Sequence, residues 1–279
     1  MGALSPVAHG GSHAVGSTGA WLLPALVVVV PAVAYLAGVR ALHAAGRGWS
    51  TGRTASFLGG LALVAAALSP AMAAVAAGAR GHMVQHLLLG MYAPIALVLG
   101  APLTLLLAAS PVEFRRPIAA ILRSRPLHLL SHVAAAAVLS VGGSYLLYLT
   151  PLYALSTRSE AVHHLLHVHF LLAGYVFAWA VAGPDPAPRR PGMGVRVAAV
   201  IVAGGAHGFL AKLLYARAPA LPPASGHDAG DLELAAQWMY YGGHVADLLL
   251  ITALFAARYR RSGRRLGTAS ASSAGGVRG

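Results

Sequence analysis

The stretch HMVQHLLLGMYAPIALVLGAP, from His82 to Pro102, is an apolar run that opens with two histidines four residues apart. On an α-helix, residues at this spacing lie on one face, about 6 Å apart along the helix axis. Ionisable side chains at the mouth of a membrane helix are rare and mark functional positions. His82 and His86 are therefore the first candidates for a functional site.

The composition of the whole chain places this stretch in a membrane. Hydrophobic residues make up 57% of the 279 residues and charged residues only 10%, against roughly 25% charged residues in soluble domains. Apolar runs of about 20 residues, the length that crosses a bilayer core, account for most of the chain. The sequence therefore predicts one all-α integral membrane domain in the lipid bilayer rather than two soluble domains.

Seven membrane spans are predicted from these apolar runs. They are Trp21–His43, Thr54–Ala77, His82–Ala108, His128–Thr150, Glu160–Ala182, Gly194–Ala216 and Ala235–Tyr259. The predicted seven-helix membrane domain thus covers residues 21–259. A flexible outer N-terminal tail of residues 1–20 precedes it, and a cytoplasmic tail of residues 260–279, basic and then rich in Gly and Ser, follows it.

The arginines predict the orientation of the bundle. The formal net charge is +13, but the positive residues are scattered between apolar runs, so nucleic acid is not an expected partner. Most of the arginines fall in the segments after spans one, three and five and in the C-terminal tail. The segments on the other side of the membrane contain only Arg80, Arg158 and Arg217. The positive-inside rule then predicts an N-terminus outside and a C-terminus in the cytoplasm.

With this orientation, the histidines of four spans form a predicted funnel from the outer surface to the middle of the membrane. Two pairs with a spacing of four mark its mouth, and two single histidines lie about nine residues inside their spans. The pairs are His82 with His86 and His163 with His167, and the deeper histidines are His207 and His244. Asp247, three residues after His244, shares its helix face and is expected to orient its imidazole.

Metal binding is the chemistry that this set of residues favours. The chain has no cysteine, so thiolate ligands are excluded, whereas Met83 and Met239 map to the same outer half. Imidazole and thioether together suit Cu(I), and imidazole alone also suits Zn, Fe or Ni. The predicted metal ligands, with copper as the expected ion, are His82, His86, His163, His167, His207, His244, Met83, Met239 and Asp247.

Sequence motifs of nucleotide-driven transport and of hydrolysis are missing. The chain contains no P-loop, no GxSxG turn and no HExxH helix. The lack of cysteine also excludes attachment of a c-type heme. We therefore expect no enzymatic activity.

Four stretches of the chain resemble the membrane-integral cytochrome c oxidase assembly factors of the CtaG type found in bacteria. They are HMVQHLLLGMYAPIALVLGAPLTLLL (His82–Leu107), HHLLHVHFLLAGYVFAWAVAGPDP (His163–Pro186), AHGFLAKLLYA (Ala206–Ala216) and MYYGGHVADLLL (Met239–Leu250). The resemblance implies a seven-helix protein of the bacterial cytoplasmic membrane. It also implies that the protein helps to mature a heme-copper oxidase by handling copper for the catalytic subunit.

The resemblance also assigns family positions to particular residues. Those matched are His82, Gln85 and His86 in the first motif, His163 or His164 with His167 in the second, and His207 in span six. In span seven, the resemblance predicts an acidic residue after Gly-Gly, where this chain has His244, with Asp247 following.

The residues leave two other functions open. Histidines on facing helices also suit axial ligation of heme b in a membrane redox protein. The inner half of the bundle, however, offers only His128 and His132 on one helix for a second heme. A proton or metal transporter would use the polar side chains of spans six and seven, although no internal repeat of the kind seen in transporters is present.

Overall fold

A computed structural model of the chain describes residues 16–187, 190–218 and 220–275, with side chains from residue 25 to residue 259 apart from Leu130. In this part of the chain the structure is helical and contains no strand. Residues 1–15 of the predicted N-terminal tail and residues 276–279 of the predicted C-terminal tail lie outside the described residues. The prediction of an all-α protein is confirmed.

The described residues form α-helices of very different lengths, interrupted by one π-helical turn at Leu88–Tyr92. The helices are α1 (Gly16–Ala44), α2 (Thr51–Ala67), α3 (Pro70–Val75), α4 (Ala79–Leu87), α5 (Ala93–Leu99), α6 (Pro102–Ala109), α7 (Val112–Leu122), α8 (Arg125–Leu130), α9 (Val133–Leu149), α10 (Leu152–Arg158), α11 (Glu160–Ala182), α12 (Met193–Ala216) and α13 (Ala229–Gly275).

Several of these segments are long and apolar enough to cross a membrane, so the chain is a multi-pass membrane protein. They are Ala25–Ala44, Ala79–Ala109, Glu160–Ala182, Met193–Ala216 and Ala229–Tyr259. Helices α9 and α10, bent by 80° relative to each other, add a sixth if they form one broken span. Within the described residues the structure thus supplies five or six candidate spans, where the sequence predicts seven.

Two predicted spans are shorter in the structure because a polar residue starts a new helix inside each of them. The Ser69 hydroxyl accepts a hydrogen bond from the backbone N–H of Met72 at 3.1 Å and starts α3. His132 likewise accepts one through Nδ1 from the N–H of Ala134 at 3.3 Å and starts α9. Helices α2 and α9 therefore have 17 residues each, which corresponds to a length of about 26 Å.

The stretch that opens with His82 forms the centre of the bundle. Helix α4, the π-helical turn and α5 pack against α2, α11 and α13, while α12 packs against α9 and α13. Glycines make the closest approaches possible, since a Cβ atom on Gly174 of α11 would lie only 2.1 Å from the carbonyl oxygen of Gly90. Small residues at helix contacts are the usual means of close packing in lipid.

A buried carboxylate joins the far end of α11 to the start of α6. Asp185 is 1% exposed and accepts hydrogen bonds from the N–H of Leu103 at 3.1 Å and from the N–H of Thr104 at 2.7 Å. The Thr104 hydroxyl donates a third, at 2.6 Å. Because the first N–H groups of a helix lack partners within the helix and carry partial positive charge, this carboxylate satisfies and stabilises α6.

Candidate functional site

A small cavity between α4, α9 and α11 brings together the two predicted histidine pairs. Its volume is about 10 Å³, and we call it the first cavity. Its lining consists of His82, Gln85, His86, Leu89, Leu147, His163, Leu166, His167 and Phe170. All four histidines of the two pairs therefore face one space inside the bundle.

The helical spacing positions these side chains as the sequence predicts. The rings of His163 and His167 lie with their centroids 4.2 Å apart on α11. On α4, His82 and His86 are 8% and 7% exposed. Between them, Gln85 donates a hydrogen bond through Nε2 to the carbonyl oxygen of Ala67 at 2.8 Å.

A second cavity lies next to the π-helical turn and has a volume of about 40 Å³. Its polar lining comes from His86 of α4, Ser140 and Ser144 of α9, His207 of α12 and Asp247 of α13. The rest of the lining is apolar apart from backbone. This space accommodates a few atoms, because a cavity that holds one water molecule needs about 10–15 Å³.

The imidazoles of His86 and His207 both line the second cavity, with nearly parallel planes. Their ring centroids are 6.2 Å apart, and their planes differ by 12°. His207 is 5% exposed, and within the described part of the chain neither of its ring nitrogens has a hydrogen-bond partner, nor has Nδ1 of His86. Since buried polar groups almost always have partners, these nitrogens are candidates for binding a ligand.

Three polar side chains of α12 and α13 pack directly against glycines of the facing helix. The pairs across the contact between α12 and α13 are His207 on Gly243, His244 on Gly208 and Asp247 on Gly204. A Cβ atom on any of these glycines would come within 2.4 to 2.8 Å of the ring or carboxylate. The position of these side chains therefore depends on the absence of a side chain opposite each of them.

His244 takes its orientation from a backbone carbonyl. Its Nδ1 lies 2.7 Å from the carbonyl oxygen of Tyr240, and because a carbonyl oxygen only accepts, Nδ1 carries the proton and donates. Asp247, the predicted orienting group, instead packs against Gly204 and lines the second cavity. The two residues share a helix face, as predicted, but contact different surroundings.

The two predicted methionine ligands lie in the hydrophobic core. Met83 is 3% exposed, and its sulfur accepts a weak hydrogen bond from the Tyr148 hydroxyl at 3.8 Å. Met239 is fully buried in the same core cluster. Among the residues that the structure describes, no three His, Asp or Glu side chains are grouped so as to hold a metal ion. The histidines are therefore arranged in pairs rather than as a preformed site with three or four ligands.

Sequence reasoning missed a line of aromatic rings that leads to the first cavity. The Tyr153 hydroxyl lies 2.8 Å from Nε2 of His227, and its ring lies 4.8 Å from that of His82. Tyr148 contacts both His82 and His86, with centroids 6.4 Å and 5.9 Å apart. Tyrosines at the end of a span are usual interfacial anchors, so no signal in the sequence distinguished these residues.

The fold and the buried imidazoles define a class, that of multi-pass helical membrane proteins with paired histidines inside the bundle. A sequence profile of the cytochrome c oxidase caa3 assembly factors (Caa3_CtaG) matches residues 33–261. This range covers most of the chain, and the chain therefore belongs to that family. The resemblance seen in the histidine motifs is confirmed.

Similar proteins include three from mycobacteria. The chain is 41% identical over 170 residues to the uncharacterized protein Mb0105 of Mycobacterium bovis and to the uncharacterized protein MT0111 of Mycobacterium tuberculosis. It is 35% identical over 181 residues to the uncharacterized protein ML1998 of Mycobacterium leprae. The alignments cover 58% to 61% of this chain but only 26% to 28% of the relatives, and no solved structure matches.

Proposed function

We propose that the protein assists the assembly of a heme-copper oxidase in the bacterial cytoplasmic membrane by carrying Cu(I) as cargo to the catalytic subunit. Membership of the family supports the role in oxidase assembly. The observation that carries the copper part of the proposal is the first cavity, where four histidines from two helices face one buried space. The role is one of binding and delivery, not of enzymatic turnover.

The paired arrangement of the histidines suits a carrier. Imidazole is a good ligand for Cu(I), and Cu(I) accepts as few as two nitrogen ligands. An ion held by a pair leaves by exchange of one ligand at a time, whereas a closed site with four ligands retains it.

The apolar runs support seven spans, and the arginine distribution supports an N-terminus outside and a C-terminus in the cytoplasm. In that orientation the N-terminal ends of α4 and α11, and with them His82 and His163, lie at the outer side. The line of rings from His227 through Tyr153 to His82 then leads inward from the outer surface. Copper would enter the first cavity from that side.

The size of the cavities favours copper over heme b. Pockets that bind cofactors measure about 300 Å³ or more. The second cavity, which is lined by His86 and His207, measures only about 40 Å³. We therefore propose copper as the cargo. A purified sample with a Soret band would contradict this choice.

The experiment that tests the function breaks both histidine pairs at once. We expect cells that carry His82→Ala together with His163→Ala to produce oxidase with as little copper and as little oxygen consumption as cells that lack the gene. Copper content is measured by mass spectrometry on the purified oxidase. The matched control is His169→Ala, because His169 lies on the same helix as His163 but lines neither cavity.

Immunoblotting verifies that each variant reaches the membrane at the wild-type level. Oxidase with full copper content and full activity in the double variant would show that the proposed function is wrong. Loss of activity in the His169→Ala control as well would attribute the effect to damaged packing of α11, and the proposal would lose its support.

A further inference from the structure

Two residues, His86 and Phe170, line both cavities and form the wall between them. Their rings meet edge to face, with centroids 4.5 Å apart and planes at 89°. On one side of His86 lie the other three histidines of the first cavity, and on the other side lies His207. His86 is therefore the imidazole that an ion in either space can reach.

The backbone beside His86 is irregular. His86 lies in the last turn of α4, immediately before the π-helical turn Leu88–Tyr92. Such turns occur frequently at functional sites. Gly90 in this turn lies beside the His86 ring, and even an added Cβ atom would be 3.8 Å from its Cε1. The ring of His86 thus borders a position without a side chain.

The centroid separation of His86 and His207 is compatible with that of two ligands of one ion. Metal–imidazole bonds are about 2 Å long, so two rings in nearly one plane on opposite sides of a shared ion have their centroids about 6 Å apart. The observed centroid distance is 6.2 Å, with the ring planes 12° apart. Both ring nitrogens of His207 lie without a partner in the described chain, although this residue is 5% exposed.

The charge of the lining indicates which ion fits. Asp247 supplies one carboxylate, and the described lining contains no Lys or Arg. A buried charge is tolerated only when it is paired, so one carboxylate balances one positive charge. The remaining surface is largely apolar, with Phe170, Phe177 and Ile95 among its members. Such a space disfavours a hydrated divalent ion and suits a soft monovalent ion that binds imidazole.

We propose that the second cavity is a separate holding site for Cu(I), with His86 and His207 as ligands and Asp247 as the counter-charge. His86 passes the ion between the two cavities by ligand exchange. As the bond to a histidine of the first cavity breaks, the bond to His207 forms, and copper remains Cu(I) throughout. No oxidant or reductant is required. This inference rests on the proposed function, because the ion arrives through the first cavity.

The test counts copper ions on the full chain, purified in detergent and loaded anaerobically with Cu(I) before removal of excess metal. Mass spectrometry then gives copper per chain. We expect two ions in the wild type and in the His169→Ala control. One ion is expected in His82→Ala/His163→Ala, which retains His86 and His207, and one in His207→Ala, which retains the first cavity.

X-ray absorption on His82→Ala/His163→Ala adds a second readout, for which we expect a copper site with two nitrogen ligands. Gel filtration verifies that each variant is folded. If His207→Ala does not give a monodisperse peak, His207→Leu replaces it, because leucine fills the volume without a ligand atom.

The outcomes separate this inference from the proposed function. A wild type with one ion that survives the loss of the His207 imidazole would overturn the second site and leave the proposed function standing. Loss of both ions in a folded His207 variant would also overturn two separate sites. A wild type that binds no copper would overturn the inference, and the oxidase measured in His82→Ala/His163→Ala cells then decides the proposed function independently.

Discussion

Asp185 and His207 are both polar and both buried, yet the fold treats them in opposite ways. Asp185, in the loop after α11, accepts three hydrogen bonds from the first turn of α6. His207, inside α12, has a partner at neither ring nitrogen within the described residues. A buried polar group without a partner costs about 1–3 kcal/mol. Hydrogen bonds therefore stabilise the bundle at Asp185, whereas the His207 imidazole contributes no such bond.

The contrast distinguishes a polar residue that holds the fold together from one that is available to a ligand. Selection tolerates a destabilised site where function needs it, so the unpartnered group is the better functional candidate. The same contrast holds within the helix contact itself. His244 has its Nδ1 bonded to the Tyr240 carbonyl, whereas the neighbouring His207 is left open toward the second cavity.

The largest expected effect in this comparison is the loss of the Asp185 carboxylate. Asp185→Ala leaves two backbone N–H groups and a hydroxyl, all partly buried, without their acceptor. Because each buried unsatisfied group has a cost, we expect a loss of about 3 kcal/mol in the free energy of unfolding. Chemical unfolding in mixed micelles, followed by circular dichroism, measures it.

Asp185→Asn is the matched control for this change. Its amide oxygen still accepts a hydrogen bond at nearly the same place, so we expect a smaller loss than with alanine. If Asp185→Ala unfolds like the wild type, the carboxylate does not hold α6 in place. Asp185 would then not differ from His207 in its contribution to stability.

A smaller effect is expected from filling the seat of His207. In Gly243→Ala, the new methyl group would lie 2.6 Å from the His207 ring, so either the ring or the helix must shift. Overpacking of this kind costs about 1–3 kcal/mol. We expect reduced stability in the same unfolding assay, together with loss of one of the two copper ions.

Gly205→Ala supplies the control on the neighbouring helix, since no atom lies within 4 Å of a Cβ atom at this position. Alanine also has the higher helix propensity, so stability is expected to stay level or to rise slightly. Equal losses of stability from Gly205→Ala and Gly243→Ala would mean that the contact between Gly243 and His207 has no special role.

The smallest change in stability, and the one of opposite sign, is expected for His207→Leu. This substitution removes two unpartnered nitrogens and fills a similar volume with apolar atoms. We expect stability equal to the wild type or higher by about 1 kcal/mol, while oxidase maturation falls. A loss as large as that of Asp185→Ala would instead identify His207 as a structural residue.

Several features of this protein followed directly from local sequence. The apolar runs predicted a helical membrane protein, and the stretch that opens with His82 is the centre of the bundle. The spacing of four predicted that His82 and His86 share a face, and both line the first cavity. The motifs around them also identified the family, which the match over residues 33–261 confirms.

Other features could not be predicted from patterns along the chain. The caps at Ser69 and His132 divide two predicted spans. The sequence did not reveal them, because hydropathy averages over the polar residue that starts a new helix. The link between Tyr153 and His227 joins a helix to a loop, so neither residue carries a helical spacing that reveals it. The number of spans and their orientation remain predictions of the sequence.

The sequence by itself determined the helical class, the membrane and the family, because hydropathy and helical spacing are properties of neighbouring residues. Only the tertiary structure decided that His86 meets His207 and that Asp247 lines the same space. Those contacts join residues far apart in the chain, and they depend on glycines of facing helices such as Gly243 and Gly204. Packing of that kind is set by the surfaces of whole helices, which no single stretch of sequence contains.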